Sequence, residues 1–174
     1  DFKYLRKKWQ DACNEERLLG VSLTGVCDNL ALAGDAETLS SLREEAVAAN
    51  KEWAKKLGIN QSTAITCVKP SGTVSQLVDS ASGLHARHSE YYLRTVRADN
   101  KDPVTSFLKD QGVYNEACVM KPDTTSIFYF AIKSPEGCVT RDNQSAMEAL
   151  DLWLTLQDSW CEHKPSATIN VQED

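Results

Sequence analysis

The 174 residues carry 19 Lys and Arg against 25 Asp and Glu, a formal charge of −6, with a pI near 5.1. Hydrophobic residues make up 41% and charged residues 25%, the balance of a globular chain able to bury a core. The acidic balance argues against a protein that coats nucleic acid, and no apolar run approaches the ~20 residues that span a bilayer.

The first eight residues, Asp1-Phe-Lys-Tyr-Leu-Arg-Lys-Lys8, are charged from the outset, so no signal peptide is expected. Cys13, Cys27, Cys67, Cys118, Cys138 and Cys161 are scattered, with no Cys-x-x-Cys pair. That pattern is neither a zinc framework nor a secreted disulfide scaffold. Reduced thiols in a cytoplasmic setting are expected, most of them small buried hydrophobes. The chain starts on Asp and ends three residues after an apparent strand, which reads as a piece of a longer protein.

In chain order, Phe2, Leu5, Trp9 and Ala12 form one apolar stripe, which predicts a helix over residues 1–18. Val21, Leu23 and Val26 lie between Gly20 and Gly25 and predict a short buried strand or strand-turn over residues 19–26. Asp28 is the expected cap of a brief turn to Ala33. Asp35 is the expected N-cap of a long helix to Leu57, stopped by Gly58. Its stripe of Leu39, Leu42, Ala46, Ala49, Trp53 and Leu57 predicts one face laid on a sheet. Thr63 to Val68 then reads as a buried strand, making a helix–loop–strand unit of α/β type.

Downstream, a short helix is expected from Thr73 to Asp79, and a loop from Ser80 to Glu90. Tyr91 to Arg97 alternates as a strand. Asp102-Pro103 opens a helix to about Gln111, by N-cap and proline at the first helical position. Asn115 to Val119 is a short extended piece, and Thr125 to Ile132 a strong strand. Thr140 is the expected cap of a last long helix reaching His163. Its buried stripe is read as Met147, Leu150, Leu154 and Cys161, with Ala146, Trp153 and Trp160 beside it. Ala167 to Val171 reads as a final strand.

The stretch Thr63-Ala-Ile-Thr-Cys-Val-Lys-Pro-Ser-Gly-Thr-Val-Ser-Gln-Leu77 organises the rest. Pro70 ends the strand, Gly72 permits a turn or a close approach, and Ser71 or Thr73 can cap the helix that follows. Such a junction exposes backbone N–H groups without helical partners, a natural seat for phosphate. Ser71, Thr73 and Ser75 offer hydroxyls, and Lys69 a cation. The plain alternative is an ordinary strand-to-helix turn, since the spacing is not a P-loop.

Three runs carry a resemblance: Pro70-Ser-Gly-Thr-Val-Ser-Gln76, Ser82-Gly-Leu-His-Ala-Arg-His88 and Tyr91-Tyr-Leu-Arg-Thr-Val-Arg97. Together they resemble the adenosylcobalamin-dependent (class II) ribonucleotide reductases, in particular the monomeric ribonucleoside-triphosphate reductase type. Glu16-Arg-Leu-Leu-Gly-Val-Ser-Leu-Thr-Gly-Val26 and His163-Lys-Pro-Ser-Ala-Thr-Ile-Asn-Val171 are similar to flanking segments of the same family.

The resemblance implies that residues 1–174 are a C-terminal portion of the family's ten-stranded α/β barrel. It implies that Ser71, Gly72, Thr73, Val74 and Ser75 hold the substrate ribonucleotide's phosphates. Gly83, His85, Arg87 and His88 form a possible substrate or cofactor loop, with Arg87 offered to a phosphate or a cobalamin side chain. His85 and His88 stand three apart without a third ligand at a useful spacing, so no metal is expected. Arg94 and Arg97 read as strand charges, Cys161 as core and His163 as a cation at a helix end.

For the whole enzyme the resemblance implies ribonucleotide reduction for DNA synthesis. Cobalamin-initiated chemistry makes a thiyl radical, which takes the ribose 3′ hydrogen; the 2′-hydroxyl leaves as water, and a cysteine pair supplies the electrons. The Asn-x-Cys-x-Glu-type loop and the redox cysteine pairs of the family cannot be matched here. No catalytic residue is therefore expected in this segment, which should not turn over alone. A dithiol reductant such as thioredoxin would act through other parts of the chain. No direct nucleic-acid or membrane partner is expected, and the enzyme should be a monomer. The rival reading is a stand-alone nucleotide- or phosphate-binding module without redox activity.

Overall fold

The computed structural model describes residues 3–171, which fall into two compact units. One combines the segments Asp1–Arg87 and Gly137–Asp174, and the other is His88–Glu136. Helices and strands are mixed, as an α/β reading expects.

The first unit opens with helix α1, Lys7–Glu16, closed by Arg17 in a left-handed conformation. Phe2, part of the expected stripe, lies outside the described residues. Strand β1, Val21–Ser22, pairs in parallel with β2, Thr66–Cys67. The ladder is longer than these labels, because Leu19 N–H donates to Ala64 O and Leu23 N–H to Cys67 O. A parallel pair needs a crossover, and it is supplied by a 3₁₀ turn at Val26–Asp28, helix α2 at Leu30–Ala33 and helix α3 at Ala36–Leu57.

Asp35 caps α3 as expected, accepting from Thr38 N–H at 3.1 Å, and Gly58 ends it at φ +64°. The cap of α2 is Asn29 and not Asp28, because the Asp28 carboxylate is turned toward other partners. The stripe along α3 is only partly buried. Leu39 is fully enclosed, whereas Trp53 and Leu57 are 57% and 64% exposed. These two line an apolar cavity of about 750 Å³ with Leu18, Leu19, Ala46 and Ile65. The cavity borders the N-terminal end of β2.

Helix α4, Val74–Leu77, is a single turn after β2, and helix α6, Ala146–Ser159, returns to the same core. Val26, Cys27, Leu39, Val68, Leu84, Leu152, Leu156 and Trp160 form that core. Two sequence expectations for α6 are corrected. Its cap is Ser145, in a reciprocal capping box with Glu148, and not Thr140. Thr140 instead bridges to Arg87. The buried face is Ala149, Leu152 and Leu156, while Met147 and Leu154 are 64% and 49% exposed. The helix is apolar on two faces, and packing beside α3 selects one of them.

Beyond α6, Thr66 Oγ1 donates to Trp160 O, Glu162 N–H to Thr66 O, and Trp160 Nε1 to Cys67 O. The Glu162 carboxylate accepts from Ile65 and Thr66 N–H at 2.8 and 3.2 Å. A side chain thus takes the place of a neighbouring strand at the second edge of β2. His163 lies past the helix, its Nε2 donating to Leu19 O, so it does not stand at the helix end as expected. Residues 167–171 are not a strand, since no ladder partner lies beside them among the described residues.

The second unit is a three-stranded antiparallel sheet, ordered β3–β5–β4. Strand β3 is Tyr91–Asp99, β4 is Asn115–Ala117 and β5 is Thr125–Lys133. Tyr91 faces Lys133 at one end and Asp99 faces Thr125 at the other. Helix α5, Pro103–Asp110, joins β3 to β4, with Asp102 accepting from Val104 N–H as its cap. Phe128 is completely buried. Among the described residues no helix is long and apolar enough to cross a membrane.

Candidate phosphate-binding turn

The glycine turn leaves β2 at its C-terminal end. Ile65, Thr66, Cys67 and Val68 are all buried, and exposure begins at Lys69 and Pro70. Lys69 N–H is held by Ser22 Oγ at 3.0 Å. Gly72 adopts φ +62°, a conformation that glycine takes without strain. A Cβ built there meets no atom within 4 Å, so the turn faces open space. Gly83 is glycine for a second reason, since a Cβ there would stand 3.0 Å from Lys69 O. The Ser82–Leu84 backbone therefore lies directly against the turn.

The donors of the turn divide into two sets. Ser71 N–H and Oγ both donate to Ser82 Oγ, at 3.0 and 3.2 Å. Gly72 and Thr73 N–H donate to no protein acceptor among the described residues, and both residues are exposed. Val74 N–H reaches Ser71 O only at 3.3 Å. Neither Ser71 nor Thr73 caps α4 with its side chain. Ser75 is fully buried with its Oγ unpaired, so it presents no hydroxyl to solvent. Because α4 is one turn long, aligned dipoles add little here. Two free N–H groups in a left-handed turn are what the site offers an anion.

The second candidate loop is taken up by internal contacts. His85 Nδ1 donates to Ser82 O at 3.1 Å. Arg87, buried with its side chain 4% exposed, makes a bidentate pair with Asp28 at 2.9 and 3.0 Å. It also donates to Asp79 Oδ1 at 3.0 Å and Asp79 O at 2.6 Å. These carboxylates, Asp28 foremost, hold the guanidinium above its ordinary value against the cost of burial. His88 is exposed in the second unit, against Ser89 Oγ and the Tyr92 ring. Among the described residues no three His, Cys, Asp or Glu side chains converge as metal ligands do.

Sequence reasoning missed Asp28, Asp79, Ser82 and Thr24 as parts of this site. Asp28 and Asp79 read locally as a cap and a helix end. Their shared partner lies 59 and 8 residues away. Thr24 Oγ1 accepts from Gly83 N–H and donates to Ala81 O, both at 3.0 Å.

No protein-family model matches the chain. Among solved structures, it superposes on a B12-dependent (class II) ribonucleotide reductase with a TM-score of 0.76 and 25% identity, over 92% of this chain and 27% of that one. The chain is thus similar, along nearly its whole described length, to the class II ribonucleotide reductases. Its sequence relatives carry a more particular name, adenosylcobalamin-dependent ribonucleoside-triphosphate reductase. That of Euglena gracilis is 31% identical over 164 residues, covering 91% of this chain and 22% of the relative. That of Lactobacillus gasseri is 29% identical over 198 residues, covering 92% and 26%. That of Lactobacillus leichmannii is 31% identical over 144 residues, covering 78% and 19%. The resemblance seen in the motifs holds across the chain, which spans about a quarter of the length of these relatives.

Proposed function

We propose that this chain is a segment of an adenosylcobalamin-dependent ribonucleoside-triphosphate reductase, and that it holds the substrate's phosphates. The observation that carries the second part is the pair of free N–H groups at Gly72 and Thr73, beside a glycine whose missing side chain leaves the approach open. In this reading Gly72 and Thr73 bind phosphate oxygens through the backbone. Val74 N–H, held only weakly by Ser71 O, joins them. Ser71 and Ser75 shape the turn from within, and Lys69 adds charge at its start. Fixing the phosphate end orients the ribose, which converts much of the entropic cost of alignment into binding. The surrounding segment belongs to the family's ten-stranded α/β barrel, with the radical and redox cysteines elsewhere in the longer protein.

Adenosylcobalamin supplies the initiating radical when bound to the whole enzyme. The cation that the sequence offered to it, Arg87, is paired with two aspartates, so it does not fit the role of holding a cobalamin side chain. No step through the cofactor is derived from this chain. We place the enzyme in the cytoplasm as a monomer, with a dithiol protein such as thioredoxin renewing its electrons. Six free cysteines and no disulfide among the described residues fit a reducing setting.

The test is deoxynucleotide formation by the complete native polypeptide with and without adenosylcobalamin. The proposal expects turnover only with the cofactor. Turnover without it, driven by a separate radical-generating subunit, would overturn the assignment. A complete polypeptide that binds nucleotide but never reduces it would favour the stand-alone binding module.

A further inference from the structure

We propose that Arg87 is a positioning residue, which holds the glycine turn in its binding shape through Asp28 and Asp79 and does not itself touch phosphate. The inference rests on the phosphate reading above and names what keeps that site in order.

Four hydrogen bonds leave the Arg87 guanidinium, two to the Asp28 carboxylate, one to the Asp79 carboxylate and one to the Asp79 carbonyl. Asp79 is the residue that needs holding. It has φ +47°, a left-handed conformation unusual for a residue with a side chain, and stands two residues past α4. Asp28 extends the same grip, because its Oδ2 also accepts Ala81 N–H at 2.7 Å. Thr24 also fastens Ala81 and Gly83. The 79–83 segment is therefore fixed by the side chains of Thr24, Asp28 and Arg87.

That segment carries the turn. Ser82 Oγ holds the Ser71 N–H and hydroxyl, and Ser80 N–H donates to Ser75 O at 2.8 Å. One side-chain contact and one backbone contact thus link the first and last residues of the Ser71–Ser75 turn to a strip whose geometry Arg87 sets. Turning the guanidinium toward a ligand would leave Asp28, with only 21% of its side chain exposed, partly buried and unpaired. The alternative role, a direct phosphate contact, is disfavoured on that ground. A lysine at this position would carry the charge but not the planar fork that serves two carboxylates at once.

The test uses the complete enzyme and inorganic tripolyphosphate as a competitor that reports on the phosphate site alone. Arg87→Met is expected to raise the substrate KM and the tripolyphosphate Ki together by about tenfold or more, as loss of a charge-assisted bond would. The change in kcat should be the smaller one, and Ki for a phosphate-free nucleoside should not move. Arg87→Lys should fall between wild type and Arg87→Met. Asp79→Asn guards against a folding defect, since the Asp79 side chain is 70% exposed. It should weaken tripolyphosphate in the same direction by a smaller factor.

A lower melting temperature in Arg87→Lys and Asp79→Asn with unchanged tripolyphosphate Ki would overturn the inference, leaving Arg87 a structural residue. Tighter tripolyphosphate binding in Asp79→Asn would overturn it too, because a freed guanidinium would then be the ligand. If Gly72→Val weakens tripolyphosphate and Asp79→Asn does not, the positioning role alone has failed. If neither variant changes it, the phosphate reading has failed.

Discussion

Replacing Gly72 by valine separates the cost to the fold from the cost to binding. A Cβ at this position meets nothing within 4 Å, so no clash inside the protein is expected. The remaining penalty is conformational. Gly72 sits at φ +62°, and a left-handed conformation costs an L-residue about 1–2 kcal/mol, more for a branched one. That is a modest part of the ~5–15 kcal/mol that stabilises a typical domain, so the variant should stay folded. The effect on a ligand is larger. Each N–H bond to a charged oxygen contributes about 1.5–3 kcal/mol, so losing one of the two weakens affinity about 10- to 100-fold. The assay is calorimetric titration of the complete enzyme with a ribonucleoside triphosphate, beside a melting curve. Gly72→Ala shares most of the conformational cost with a smaller obstruction and should lie between. Unchanged triphosphate affinity in Gly72→Val, with the melting temperature slightly lowered, would refute the reasoning.

Three further outcomes are expected. Leu156→Ala should cost about 2–5 kcal/mol in chemical denaturation, because Leu156 is wholly buried, whereas Leu154→Ala should cost much less, being 49% exposed; the reverse order would overturn the assignment of the buried face of α6. The Asp35 carboxyl is held below its ordinary value, first by the Thr38 hydroxyl and then by its N–H. Its contribution is therefore full above the unfolded value of about 3.9 and is lost as pH falls through the lower folded value. The gap in melting temperature between wild type and Asp35→Ala should close on acidification below that range, and a constant gap would count against the cap. Burial pushes the Cys27 and Cys161 thiols up to about 11. At pH 8 iodoacetamide should label both far more slowly than half-exposed Cys138, as read by peptide mass mapping.

Much of the fold is legible in short windows. Asp35 and Gly58 bound α3 as read, and Asp102-Pro103 opens α5. The alternation of residues 91–97 and the β-branched and aromatic run at 125–132 mark the two long strands of the antiparallel sheet. These signals are local, since a cap or a strand pattern acts over three to eight residues. The glycine turn was legible for the same reason, and Gly72 does take the left-handed conformation that a tight turn uses.

What the sequence by itself determined is where most of the helices and long strands lie and that a glycine turn leaves β2. Only the tertiary structure decided which apolar faces are covered and how that turn is braced. Helix α6 offers leucines on two faces, and the choice of Leu152 and Leu156 over Leu154 depends on α3, about a hundred residues earlier. The stripe of α3 fails at Trp53 and Leu57 because periodicity reports an apolar face but not whether anything lies against it. Arg87 looked like a ligand from its glycine-flanked loop. It is a brace because the fold brings Asp28, 59 residues away, within 2.9 Å of it, and a buried guanidinium takes the carboxylates that surround it.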